Sequence, residues 1–191
     1  MTVTDVNVVK SAIFERPDDA NKGTLGSLLC VCGSYGMAGA AVMSAKGALR
    51  TGIGLAKCAL PRSIYPIVAQ TILESVYYPL SENADGRISK VNVPFLVSES
   101  CKSSATLIGC GLGVCDDTLK IVLSLIENST TPLVLDADAL NCVAKQPEIL
   151  LRKKAPIIIT PHPDEMSRLT GLATPLVNAE RERVALDFAQ K

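Results

Sequence analysis

Apolar residues along this chain come in two patterns that take turns. Short runs are apolar throughout, and longer stretches carry apolar residues at every third or fourth position. The first run, Ser27-Leu28-Leu29-Cys30-Val31-Cys32, predicts a buried strand over residues 26–33. Ala41, Ala45, Ala48 and Leu49 then predict a helix over 40–51, ended by Gly52-Ile53-Gly54. Further strands are predicted over 55–60, 74–78, 105–109, 132–136 and 155–160. Helices are predicted over 5–14, 62–70, 139–144, 147–152 and 164–171, the last closed by Gly171. An amphipathic helix over 117–127 has Leu119, Val122, Leu123 and Ile126 on one side. A final helix over 177–190 is charged on one face, and 81–87 reads as a polar turn.

Strand and helix alternate, and the strands are apolar on both sides. That combination predicts an α/β chain with a mainly parallel sheet covered on both faces. No repeat or linker interrupts it, so residues 1–191 are read as a single domain. In such sheets ligands bind beyond the carboxyl ends of the strands. The unusual clusters of this chain fall at those ends.

Composition narrows the function. Apolar residues make up 48% and charged residues 20%, which excludes a disordered chain. Nineteen basic residues balance nineteen acidic ones, there is no Trp, and aromatics amount to 4%, so nucleic acid is not an expected partner. Several of the seven cysteines sit in apolar runs and act as small hydrophobes, and no disulfide framework is expected. Cys30 and Cys32 are expected on opposite strand faces, which would suit no single metal, and no metal site is assigned. The N-terminus shows no basic and apolar leader, and no apolar run is long enough for a membrane span. The expected location is the cytoplasm, with no membrane partner.

Four clusters could carry chemistry. Gly33, Ser34 and Gly39-Ala40-Ala41, with Lys22-Gly23-Thr24 before them, would let backbone and a helix N-terminus approach a phosphate, or form a tight turn only. Gly109, Gly111 and Gly113 alternate after a strand and offer the same two readings. Asp136 and Asp138, with Asn141 following, suit a divalent cation or a sugar hydroxyl, or one of them caps the next helix. His162, the one histidine, is fixed between Pro161 and Pro163 at a strand end and reads as a ligand contact.

The order of these motifs resembles a known family. It consists of Lys22-Gly23-Thr24-Leu25-Gly26, Gly33-Ser34, Gly39-Ala40-Ala41, Ala48-Leu49-Arg50-Thr51-Gly52, Gly109-x-Gly111-Leu112-Gly113, Leu135-Asp136-Ala137-Asp138-Ala139-Leu140-Asn141, and Thr160-Pro161-His162-Pro163-x-Glu165-Met166-x-Arg168-Leu169. From about residue 20 onward the chain resembles the bacterial ADP-dependent NAD(P)H-hydrate dehydratases, carbohydrate-kinase-like proteins of the ribokinase-type fold. The resemblance implies an α/β/α sandwich and a lyase that dehydrates hydrated NADH or NADPH. The adenine nucleotide ADP (or ATP) is then co-substrate, with Mg²⁺. It implies that Gly39, Ala40, Gly111 and His162 contact the hydrated dinucleotide. Asp136 and Asn141 would shape the phosphate and metal region, with Lys22, Gly33, Ser34, Gly109, Gly113, Asp138, Pro161 and Glu165 in support.

Two departures accompany the resemblance. Asp164 stands where the family usually has Gly, placing a negative charge beside an anion site. The family's Lys-Gly segment, and the Gly-Ser-Gly-Asp motif whose Asp is the catalytic base, have no counterpart before Lys191. The expectation is therefore about the N-terminal two-thirds of the family domain, with a sheet incomplete on its C-terminal side. No catalytic base is assigned, and uncovered apolar faces are expected to drive self-association. The alternatives are a ribokinase-like small-molecule kinase and a non-catalytic nucleotide-binding subunit.

Overall fold

The computed structural model describes residues 18, 20, 21 and 23–190. The helix expected over 5–14, and Lys22, lie outside them. Six strands form one sheet in the order β3-β2-β1-β4-β5-β6. They are β1 (Ser27–Val31), β2 (Leu55–Pro61), β3 (Val76–Leu80), β4 (Ala105–Ile108), β5 (Leu133–Leu135) and β6 (Ile157–Ile159). Every pairing is parallel, with Val31 opposite Ala59 on one side and Ile108 on the other. The chain thus grows outward from β1 in one direction, returns, and grows outward from β4 in the other. That reversal leaves a crevice above the carboxyl ends of β1 and β4.

Helices α1 (Ala38–Arg50) and α2 (Tyr65–Thr71) cover one face. Their Ala41, Ala45 and Val68 pack on Cys30, Cys32, Ala56, Cys58 and Leu60. Small residues on α1 let it lie close to the strands. The other face carries α3 (Val93–Cys101), α4 (Asp116–Asn128) and α5 (Asp138–Val143). Here Leu29, Val31 and Ile108 meet Leu96, Ile121, Val122 and Leu125. Helices α6 (Pro163–Thr170), α7 (Thr174–Ala179) and α8 (Arg181–Ala189) close the chain beyond β6.

This packing corrects one expectation. Cys30 and Cys32 share a face, and Leu29 and Val31 share the other, because side chains two apart in a strand point the same way. Two helical boundaries also differ. The expected helix over 177–190 is two helices, broken at Glu180, whose backbone leaves the helical region at φ −128° and ψ 40°. Helix α3 falls in a stretch to which no element was assigned, and it contains Pro94. That proline occupies the first turn, where a missing N–H costs least.

Beneath β4 a buried hydroxyl network ties three segments together. The Ser100 hydroxyl meets Thr106 Oγ1 at 2.9 Å and Ser129 Oγ at 2.7 Å, and Thr131 Oγ1 donates to the Ser100 carbonyl at 2.8 Å. Satisfied in this way, the hydroxyls fix α3 against β4 at no desolvation loss. Leu96, fully buried on α3, carries much of that helix's apolar anchorage. Leu96→Ala is expected to lower unfolding free energy by about 2–5 kcal/mol in urea titrations.

Candidate functional site

The crevice is built from glycines and carbonyls before any charged group enters. After β1 the chain turns through Gly33 at φ +85°. Its N–H donates to the Cys110 carbonyl at 2.9 Å, and the buried Ser34 hydroxyl donates to the Gly111 carbonyl at 2.8 Å. The two glycine loops therefore hold each other. Helix α1 starts at Ala38 without a side-chain cap. Its first-turn N–H groups and positive dipole end are left for solvent or an anion.

Two kinds of glycine are present. A Cβ on Gly109, at φ +126°, would stand 1.8 Å from the Asp136 carbonyl oxygen, and one on Gly111 would stand 2.6 Å from the Ala40 Cβ. These glycines serve close approach between parts of the chain itself. Gly39 has nothing within 4 Å of such a Cβ, so its open side faces empty space. Ala40 and Gly111 are thus brought into contact. Gly113 packs against Arg87, which arrives from the 81–87 turn; a Cβ there would meet Arg87 Nε at 2.5 Å.

The acidic pair does not form an ion cage. Asp136 accepts from the Cys110 thiol through Oδ2 at 3.2 Å and from Thr160 Oγ1 through Oδ1 at 2.7 Å. Asp138 accepts from the Gly113 N–H through Oδ2 at 2.8 Å and from Asn141 Nδ2 through Oδ1 at 3.4 Å. Asn141 Oδ1 accepts in turn from Arg168 at 2.7 Å. Ala137 between the two aspartates has φ +49° and ψ −116°, a region that strains any residue with a side chain. Among the described residues no group of three or more His, Cys, Asp or Glu side chains is placed to hold a metal.

His162 caps α6. Its Nδ1 accepts from the Asp164 N–H at 3.2 Å, so the ring proton sits on Nε2, which is 3.1 Å from Glu165 Oε1. Glu165 Oε2 accepts from the His162 backbone N–H at 2.9 Å. This reciprocal box, with Pro163 in the first helical turn, locks the ring while leaving it half exposed. Asp164 accepts from the Thr174 hydroxyl at 2.9 Å, so its charge helps to cap rather than standing free.

Two thiols flank the glycines. Cys32 and Cys110 pack in one cluster, and their thiols act on one another: Cys32 lowers the Cys110 pKa, while Cys110 and burial raise that of Cys32. Two cavities matter for the site. One of about 390 Å³ opens beside Tyr35, Gly39, Ser63 and Ile67. A larger one of about 600 Å³ runs along β6, floored by Ile157, Ile158, Phe188 and Val177 with Lys153 and Arg181 on its lining. The smaller adjoins the first glycine loop.

The model of the NAD(P)H-hydrate dehydratase (carbohydrate-kinase) family matches residues 28–191. The chain belongs to that family. It is similar to a bifunctional NAD(P)H-hydrate repair enzyme of Thermofilum pendens, 36% identical over 176 residues, covering 92% of this chain and 34% of that protein. It is also similar to an ADP-dependent (S)-NAD(P)H-hydrate dehydratase of Neisseria meningitidis, 31% identical, covering 87% of this chain and 53% of the relative. The solved ADP/ATP-dependent NAD(P)H-hydrate dehydratase of Bacillus subtilis, co-crystallised with ATP and Mg²⁺, superposes with a TM-score of 0.75 at 27% identity, over 96% of this chain and 61% of that one. The chain spans about a third of the bifunctional relative's length. A ribokinase-like fold is therefore established for it.

Sequence reading missed three residues of this edge. Thr160 links Asp136 to the His162 segment, Cys110 links Asp136 to the glycine loops, and Arg87 props Gly113. Cys110 could have been found from its place between two glycines, but Arg87 had no such signal. The two kinds of glycine separate by experiment. Gly109→Ala is expected to destabilise by about 2–6 kcal/mol, backbone strain and overpacking combined. Gly39→Ala is expected to leave unfolding free energy unchanged or raise it by up to about 1 kcal/mol, being helical and unobstructed.

Proposed function

We propose that this chain supplies the dinucleotide-binding edge of an ADP-dependent NAD(P)H-hydrate dehydratase, a lyase that returns hydrated NADH or NADPH to working cofactor. The observation that supports it is a continuous hydrogen-bonded edge. It runs from Gly33 and Ser34 through Cys110 and Gly111 to Asp136, Thr160 and the His162 segment. An extended ligand carrying phosphates fits such an edge better than a compact one.

Each residue has a role in this reading. Gly39 and the uncapped start of α1 receive a phosphate through backbone N–H groups. Ala40, its methyl packed on the buried Gly111, forms a low wall against which the hydrated ring segment lies. His162 presents a ring whose orientation is held by Glu165. Asp138 and Asn141 hold the Gly113 loop and α6 in register. ADP or ATP is the phosphoryl source: phosphorylation of the ring hydroxyl makes it a leaving group.

Asp136 and Asp138 are the carboxylates that would face a Mg²⁺ bound with the nucleotide. Each of their oxygens accepts one hydrogen bond from the protein and keeps a second lone pair, and no step is assigned to the ion. Glu165 is spent on His162 and Asp164 on Thr174. These four carboxylates position the edge rather than take a proton from substrate. Seven unpaired cysteines support a reducing compartment, hence the cytoplasm. Among the described residues no helix is long and apolar enough to cross a membrane.

Calorimetric titration with hydrated NADH tests the reading. Saturable binding is expected, and Gly39→Leu, which fills the open space, should weaken it at least about tenfold, or roughly 1.4 kcal/mol. Phosphorylation of a pyrimidine or thiazole alcohol, with no affinity for hydrated NADH, would instead establish a small-molecule kinase. The apolar groove along β6 supports self-association. Sedimentation velocity should show a concentration-dependent dimer that Ile158→Glu disperses, Ile158 being 60% exposed; a monomer at all concentrations would remove the oligomer from the proposal.

A further inference from the structure

Cys32 directly precedes Gly33, and Cys110 lies between Gly109 and Gly111. The ladder joining β1 to β4 is in register up to Val31 opposite Ile108. Beyond that pair it slips by one residue. Gly109 N–H donates to the Val31 carbonyl at 3.3 Å, yet Gly33 N–H donates to the carbonyl of Cys110, not of Gly109, at 2.9 Å. Two residues on the β4 side therefore oppose Cys32, as in a bulge. The slip turns the Cys110 side chain toward α1, the side on which Cys32 already points, and both pack in the same cluster. Neighbours across adjacent strands lie within the Cα separation of about 4.4–6.8 Å that a disulfide spans.

The two thiols are not equivalent. Cys110 is half-buried and reachable from the crevice, whereas Cys32 is buried at 1% exposure. The other half-buried loop thiol, Cys115, is engaged with Thr118 and Asn83 on the α4 side. Cys110 is thus the half-buried thiol of the second glycine loop, and Cys32 is its buried neighbour in the same apolar cluster.

We propose that Cys32 and Cys110 form a redox modification site, at which a peroxide drives an intramolecular disulfide that staples the two glycine loops together. The Cys110 sulfur, giving up its proton, attacks one peroxide oxygen. The O–O bond breaks, the departing hydroxide takes that proton as water, and Cys110 becomes a sulfenic acid. The Cys32 sulfur then attacks the Cys110 sulfur. The S–O bond breaks, and hydroxide leaves with the Cys32 proton as a second water. Two thiols and one peroxide yield one disulfide and two waters, and a dithiol reductant reverses the change. The oxidised sulfur has no proton to give to Asp136, which keeps Thr160 as its hydrogen-bond donor. Oxidation thus reaches the ligand edge through Asp136 as well as through the loops.

The test is thiol mapping on the full chain. The protein is treated with hydrogen peroxide at a dose that oxidises glutathione, quenched, alkylated and digested for mass spectrometry. All but two of the seven thiols should remain alkylatable, the missing pair being Cys32 and Cys110, with full recovery in dithiothreitol. Cys115→Ser should leave the cross-link intact. Cys32→Ala should abolish it and let Cys110 advance to the sulfinic acid. The proposal is overturned if all seven thiols survive, if Cys110 pairs with Cys115, or if wild-type Cys110 advances to sulfinic acid without bonding to Cys32.

Discussion

Gly109 lies so close to the Asp136–Ala137 peptide that a single added carbon would overlap the Asp136 carbonyl. That approach sets the geometry of the whole ligand edge. It brings the end of β5 against the loop after β4, so that Cys110 reaches Asp136 and the Gly113 N–H reaches Asp138. Asp136 then has its second oxygen in range of Thr160 at the end of β6. Ala137 takes on the strain of the turn, and its backbone is held there by hydrogen bonds from Leu140 and Asn141 N–H groups to its carbonyl. A Cβ at position 109 would force these strand ends apart.

Charge is used sparingly along this edge. Formal net charge is zero, and the carboxylates nearest the crevice spend both oxygens, or the one that caps, on protein donors. The histidine is held by its bonds to the Asp164 N–H and to Glu165, which is buried behind it. Affinity for an anion then rests on backbone N–H groups and a helix dipole. These are fixed by the fold and respond little to pH.

Much of this was legible in the sequence. The β1, β2 and β4 runs, the α4 stripe and the glycine clusters announce parallel strands and crowded turns, because burial on both faces leaves few alternatives. Less could be read where local signals and tertiary context disagree. No element was assigned where α3 forms, and Glu180 divides a stretch whose apolar spacing reads as one helix. The shared face of Cys30 and Cys32 follows from strand periodicity alone, so that error was one of reading. Which glycines open onto empty space and which face the chain itself is invisible in sequence: Gly39 is helical with nothing opposite it, whereas Gly109 stands at φ +126° against the Asp136 carbonyl.

The bond from Ser34 to the Gly111 carbonyl joins residues separated by 77 positions. Nothing near Ser34 in the sequence can substitute for that partner. During synthesis the first loop must therefore wait, with β1 formed or collapsing, until β2, β3 and α3 have emerged and β4 has docked. Contacts of this range slow folding, since loop closure must precede any gain from them. The ligand edge is thus assembled late, and for that interval the apolar flank of β1 that β4 will cover stays open to chaperones and to other chains.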